Sequence, residues 1–206
     1  MSNLGIKIAG VEFKNPVMTA SGTFGSGMEY GEFVDLNKLG AVVTKGVANV
    51  PWPGNPTPRV TEVYGGMLNA IGLQNPGIDV FLERDLPFLK QYDTKVIVNV
   101  CGKSVQDYLD VVEKLSDADI DMMEINISCP NVKEGAIAFG QKADSVFDIT
   151  KQIKEKAKQN VKTIVLPETE DKRTYEAAEA VLRDGTAKLI LVGSKEEIEK
   201  NGAGFD

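Results

Sequence analysis

The amino-acid sequence predicts an α/β protein in which helices cover a parallel sheet, and two observations predict it. Short apolar runs alternate with stretches whose apolar residues recur every three or four positions, the β/α order that packs helices onto parallel strands. Several of those runs break into loops carrying glycine, lysine or asparagine, which is where barrel and doubly wound enzymes keep their chemistry. The order suits a barrel or an open sheet. A complete (β/α)8 barrel takes eight units and about 250 residues, whereas this chain has 206 residues and about six such units. About six units leave either an open sheet or a partial TIM (β/α)8-type barrel.

Each element follows from its local pattern. Pro16 to Ala20 (PVMTA) reads as a strand opening into Ser21-Gly22-Thr23-Phe24-Gly25-Ser26-Gly27. The glycines there permit close backbone approach to a ligand, without the spacing of a dinucleotide or P-loop fingerprint. Gly40 to Thr44 (GAVVT) is the next strand and delivers Lys45-Gly46 at its end. The prolines crowded into Pro51 to Pro58 exclude helix and central strand, which leaves an ordered surface loop with Trp52 as its packing anchor. Arg59 to Tyr64 and Met67 to Ile71, joined at Gly65-Gly66, read as a hairpin. It presents Asn69 to Asn75, where amide side chains alternate with small or apolar ones.

Ile78 to Lys90 reads as a helix interrupted at Pro87, and Lys95 to Val100 (KVIVNV) as a strand with Asn99 near its end. An unsatisfied buried amide costs about 1–3 kcal/mol, so Asn99 needs a partner, in a ligand or in the backbone. Val105, Leu109, Val112 and Leu115 have helical spacing. Met122 to Asn131 (MMEINISCPN) then carries a strand, with Met122 and Met123 in the core, into a loop bearing Asn126, Ser128, Cys129 and Asn131. One proton acceptor inside a ring of neutral hydrogen-bonding groups suits a planar, polar, uncharged ring as substrate. A lone cysteine ending a strand also reads as a buried structural thiol. Beyond it come a lysine-rich amphipathic helix from Asp144 to Lys158, a strand from Lys162 to Leu166, a helix from Tyr175 to Arg183 stopped at Gly185, a strand from Ala187 to Val192, and a last helix from Lys195 to Lys200.

Composition narrows the function. A net charge of -7 repels nucleic acid and anionic membrane. Histidine is absent, and Cys101 and Cys129 lack metal-ligand spacing, so neither a zinc site nor a disulfide framework is expected. The N-terminus has no leader pattern and no apolar run reaches spanning length. The expected location is the cytoplasm.

Taken in order, TASGTFGSG, VVTKG, GNPTPR, NAIGLQNPG, VNVCG and NISCPNVKEG resemble the N-terminal half of the dihydroorotate dehydrogenases, in their bacterial NAD-linked, catalytic-cysteine subfamily. The resemblance covers roughly Met1 to Lys158. It implies an FMN-containing TIM barrel that oxidises dihydroorotate to orotate in pyrimidine biosynthesis. Cys129 is implied as the base that takes the C5 proton while a hydride leaves C6 for the flavin, and Lys45 as a catalytic residue facing both flavin and substrate. Implied FMN contacts are Ser21, Lys45, Gly46, Asn99 and Asn126. Implied substrate contacts are Lys45, Asn69, Ala70, Ile71, Gly72, Leu73, Asn126 and Asn131. The implied partner is an electron-transfer subunit carrying FAD and an iron-sulfur cluster that relays electrons to NAD. This chain has neither a four-cysteine cluster motif nor a dinucleotide fingerprint. An unclosed sheet would also invite homo-oligomers through its edges.

After residue 158 the sequence leaves that pattern. No VKLSP-like strand follows the central loop, and Lys162 to Ser194 is similar to the extreme N-terminus of a phosphate acetyltransferase, a first βαβ piece that brings no active site. The expected domains are therefore a dihydroorotate dehydrogenase-like partial barrel over 1–158 and a βαβ segment of the other family over 159–206, a chimera with its seam near Gln159. Two functional readings stand side by side. One is the flavin oxidoreductase; the other is a catalytically silent truncated or chimeric scaffold in which Cys129 is an ordinary thiol. Acyl transfer to phosphate rests on the last segment alone and ranks below both.

Overall fold

The computed structural model describes residues 4–8, 10–128, 140, 142–159, 162–166, 172–191 and 194–204. The chain divides into two compact units, Met1–Ile149 and Thr150–Asp206.

The first unit is built on three parallel strands. They are β3 (Ala41–Val43), β6 (Lys95–Val100) and β7 (Met122–Ile125), in the order β3-β6-β7. Register runs Val42 to Val96, and Val98 to Met123. The middle strand is buried almost throughout, as its unbroken apolar run requires. Met122 and Met123 are half-buried rather than core, because β7 pairs with β6 alone among the described strands. Among the described residues the sheets do not close into a barrel.

The strand expected at Pro16 to Ala20 is reduced to one parallel bridge, Met18 to Ala41. Thr19 is the reason. Its hydroxyl accepts from the Val43 amide at 2.9 Å and donates to the Val43 carbonyl at 3.2 Å, so a side chain replaces the next rungs of the ladder. Ahead of it lies an antiparallel pair that the sequence pattern did not announce, β1 (Ile6–Ile8) with β2 (Val11–Phe13). Phe13 of this pair packs on Ala41, Val43 and Ile97.

The anticipated hairpin is β4 (Val60–Val63) with β5 (Gly66–Asn69), exposed along its whole length. The next helix, α1, runs through Ile78–Val80, Phe81–Asp85 and Leu86–Leu89, the middle stretch wound as a π-helix. Pro87 has no N–H to give and its ring crowds the preceding turn, and the wider turn absorbs the misfit. The helix continues where the sequence suggested an interruption.

Helix α2 (Val105–Leu115) starts at a capping box in which the Ser104 hydroxyl accepts from the Asp107 amide and the Asp107 carboxylate returns the bond to the Ser104 amide. Its buried face is Tyr108, Val111, Val112 and Leu115. Tyr108, not Leu109, takes the second position of the apolar stripe. Helix α3 (Ala143–Gln159) begins in this unit and buries Ile149.

In the second unit, β8 (Lys162–Leu166) and β9 (Ala187–Leu191) pair in parallel with α4 (Lys172–Asp184) between them in sequence. Tyr175 and Ala178 are buried. Helix α5 (Lys195–Asn201) is capped by Ser194, whose hydroxyl accepts from the Glu197 amide. No described helix is long and apolar enough to cross a membrane.

Candidate active site

The C-terminal ends of the parallel strands open into a cavity of about 760 Å³, within the range of small-molecule sites. Seven expected residues meet there. Ser21, Lys45, Asn99 and Asn126 line it from the strand ends, Asn69 from the last residue of the hairpin, and Ile71 and Leu73 from the segment that follows it.

Lys45 stands two residues past β3 and is half-buried. Its amide donates to the Gly25 carbonyl at 2.9 Å, which ties the glycine-rich loop to the strand end. Gly22, Gly25 and Gly27 all have positive φ, a backbone path that favours glycine. Among the described residues the Lys45 ammonium meets no carboxylate within ion-pair distance.

Gly46 is buried behind this wall rather than on it. A Cβ at that position would lie 3.1 Å from Asn99 Oδ1, 3.2 Å from Leu73 Cδ2 and 3.3 Å from Cys101 Sγ. Only glycine leaves those groups undisturbed.

Asn99, 3% exposed, finds its partners in protein. Its amide N–H donates to Thr44 Oγ1 at 3.2 Å, and its carbonyl accepts from the Val47 amide at 2.7 Å. Its side-chain Nδ2 donates to Glu124 and its Oδ1 accepts from Asn126 Nδ2 at 3.0 Å. Asn126 is held in turn through its backbone. Its amide donates to the Val100 carbonyl at 2.8 Å, and Tyr108 Oη donates to its carbonyl at 2.6 Å.

The Asn69 to Asn75 segment is fixed by amide side chains. Asn75 accepts from the Ala48 and Gly77 amides at 3.1 and 3.0 Å and donates to the Leu73 carbonyl at 2.8 Å. Asn55 donates to the Ala70 carbonyl at 2.8 Å. A side chain at Gly72 would strike Asn55, its Cβ only 2.8 Å from Asn55 Cγ. Ala70 and Gly72 thus shape the segment without lining the cavity. Trp52 packs with Ala48, Leu73 and Cys101 and lies under Lys103, whose Nζ is 4.8 Å from the ring centre, so it anchors its loop. Cys129 and Asn131 lie outside the described residues.

Thr44, Tyr108 and Glu124 were not singled out from sequence. The one available signal was Glu124, a carboxylate within an apolar strand and two residues before Asn126, hence on the same strand face.

The family model described as "Dihydroorotate dehydrogenase" matches residues 3–201, a span that runs past residue 158. The "Dihydroorotate dehydrogenase B (NAD(+)), catalytic subunit" of Lachnoclostridium phytofermentans is 62% identical over 192 residues, covering 93% of this chain and 63% of that protein. The protein of the same name from Alkaliphilus metalliredigens is 56% identical over 192 residues, with the same coverage of 93% and 63%. That of Petrotoga mobilis is 45% identical over 205 residues, covering 98% and 68%. Among solved structures, DHODH from Eimeria tenella in complex with ferulenol superposes with a TM-score of 0.62 at 17% identity, over 98% of this chain and 64% of that one, a likeness of fold. The chain spans 63% of the length of the first two relatives. With a family match over nearly its whole length and relatives this similar, the chain belongs to the dihydroorotate dehydrogenase family.

Proposed function

We propose that this chain carries the flavin and substrate half-site of an FMN-dependent dihydroorotate dehydrogenase, oxidising dihydroorotate to orotate in pyrimidine biosynthesis. The observation that carries the reading is half-buried Lys45, which lines the cavity with Asn69, Asn99, Asn126 and Glu124 and whose ammonium, among the described residues, meets no carboxylate at ion-pair distance. A charge so placed suits a ligand that brings or acquires negative charge.

The residues present fit the ring end of FMN. Gly46 removes a side chain where the cavity wall must stay thin, Ser21, Asn99 and Asn126 offer polar groups along its rim, and Lys45 sits where charge develops. FMN bound by these residues would supply the acceptor for the hydride from C6 of dihydroorotate. Cys129 takes the C5 proton as thiolate, and the two losses together give orotate. An ordinary thiol is only a few per cent thiolate at neutral pH, so the loop must favour its ionised form. Asn69 to Leu73, with Asn126 and Asn131, hold the pyrimidine ring, and Lys45 meets its charge. Amides aimed this way reject rings that lack the matching groups, because the amides would be left unpaired. The electrons would pass to a separate partner subunit, which the naming of the relatives as catalytic subunits supports, and the reading gives that subunit FAD and an iron-sulfur cluster. Residues 159–206 are read as a segment of separate ancestry that adds no group to this site, a reading that rests on the phosphate acetyltransferase resemblance.

The test is a visible absorption spectrum of the purified protein with FMN, followed by anaerobic dihydroorotate. The expected result is bound flavin that bleaches, and fails to bleach in Cys129→Ala. Soluble protein that binds no flavin would overturn the reading in favour of a silent scaffold.

A further inference from the structure

The strand-end amides form a directed relay. Asn99 Nδ2 donates to Glu124, Asn126 Nδ2 donates to Asn99 Oδ1 at 3.0 Å, and the Ser128 amide donates to Asn126 Oδ1 at 3.3 Å. An asparagine side chain has almost the same shape in its two flipped orientations, so packing alone does not decide which atom faces which neighbour. The direction must come from a group that can only accept or only donate. Glu124 is such a group: an ionised carboxylate only accepts. It turns Nδ2 of Asn99 toward itself, leaves Oδ1 to face Asn126, and so turns Nδ2 of Asn126 toward Asn99. The Ser128 amide supports the same direction, but at 3.3 Å it is the longest contact of the series, whereas the Glu124 end is charge-assisted. Both Asn99 and Asn126 line the cavity, and Glu124 lines it beside them.

We propose that Glu124 is a positioning residue whose carboxylate sets the amide orientation of Asn99 and, through it, of Asn126, and so decides which donors and acceptors the cavity shows its ligand. A neutral glutamine at 124 either accepts or donates and removes the direction. This inference rests on the flavin and substrate reading for its consequence, but the relay itself is testable without ligand.

The experiment is a pair of side-chain amide spectra of 15N-labelled wild type and E124Q, followed by FMN titration. Glu124 does not touch Asn126 in the relay, so the diagnostic signal is the Asn126 Nδ2 proton pair. It should shift in E124Q while the Trp52 fluorescence transition stays in place. An Asn126 pair that does not move in E124Q overturns the relay, whatever the flavin does. In the titration, E124Q should bind FMN about tenfold more weakly than wild type, the loss of roughly one charge-assisted hydrogen bond. Equal FMN affinity in the two proteins overturns the role toward the ligand. Wild type that binds no FMN would sink the functional reading instead, with the relay still decided by the spectra.

Discussion

Replacing Tyr108 with Phe removes one oxygen from a fully buried ring and leaves its packing on the sheet intact. That oxygen donates to the Asn126 carbonyl at 2.6 Å, and it is what ties helix α2 to the strand end that carries Asn126. A buried acceptor left without its donor costs about 1–3 kcal/mol. Asn126 is only half-buried, so water reaches it in part and the loss should fall near about 1–2 kcal/mol. For a domain of this size that is a drop of roughly 4 °C in melting temperature. Trp52 is the sole tryptophan and lies in the first unit, so its fluorescence in a urea titration reads that unit without the second. The midpoint should fall with the slope unchanged. FMN affinity should fall with it, because the strand end is freed as well as destabilised. A midpoint equal to that of wild type would refute the idea that the phenol holds this strand end.

Three further outcomes are expected. Gly46→Ala forces a methyl against Asn99, Leu73 and Cys101 at 3.1–3.3 Å; it should cost about 1–2 kcal/mol by overpacking and weaken FMN binding more than Y108F does, read by flavin fluorescence quenching. Arg84→Met strips the partner from Asp85, which is 2% exposed and bonded to Arg84 Nε at 2.6 Å. The Arg84 side chain is 55% exposed, so the loss in urea denaturation should be about 2 kcal/mol, below the value for a fully buried pair. Asp35 accepts from the Asn37 side chain and backbone, which hold its carboxyl below the ordinary aspartate range. A depressed folded-state value means that its stabilisation is present above the ordinary value and is lost as pH falls through the depressed one. Asp35→Asn should therefore flatten the acid limb of the Trp52 transition, and an acid limb unchanged by the substitution would count against it.

What the sequence made legible here was local. The run KVIVNV could only be a strand buried on both faces, and it is the middle strand. Lys45, Asn99 and Asn126 stood at strand ends by spacing alone, and the fold brings them to one cavity. The losses came where a side chain competes with the backbone. Thr19 replaces ladder rungs with its hydroxyl, so an apolar run that reads as a strand makes a single bridge. Tyr108 displaced Leu109 from the buried stripe because its ring fills the space while its hydroxyl reaches a carbonyl eighteen residues on. Periodicity counts apolar positions and does not register such reach. The bond between Asn99 and Glu124 was beyond it too, since Glu124 sits across the sheet from Asn99 on a neighbouring strand.

A contrast between the two ends of the sheet favours the smaller cavity over the larger as the proposed site. About 950 Å³ opens at the N-terminal ends of β3 and β6, beside β1 and β2. There Lys7 meets Glu12 at 4.0 Å, Lys14 meets Asp93 at 2.9 Å, and Lys95 meets Asp121 at 2.9 Å. Each ammonium has its charge answered within the fold, so a ligand anion would have to compete with a carboxylate already in place. At the C-terminal ends Lys45 meets no carboxylate at ion-pair distance among the described residues, and Asn69, Asn99 and Asn126 line the cavity with it. Glu124 lines the same cavity, yet its described bond goes to Asn99 rather than to Lys45. That division follows from chemistry. In the proposed site, a carboxylate bound to the ammonium would neutralise a charge that a ligand could use, whereas one bound to an amide would leave that charge free and give the amides their direction. In barrel enzymes strand N-termini serve stability and strand C-termini carry the ligand sites, and the paired charges at one end of this sheet, against Lys45 without an ion-pair partner among the described residues at the other, fit the proposed placement.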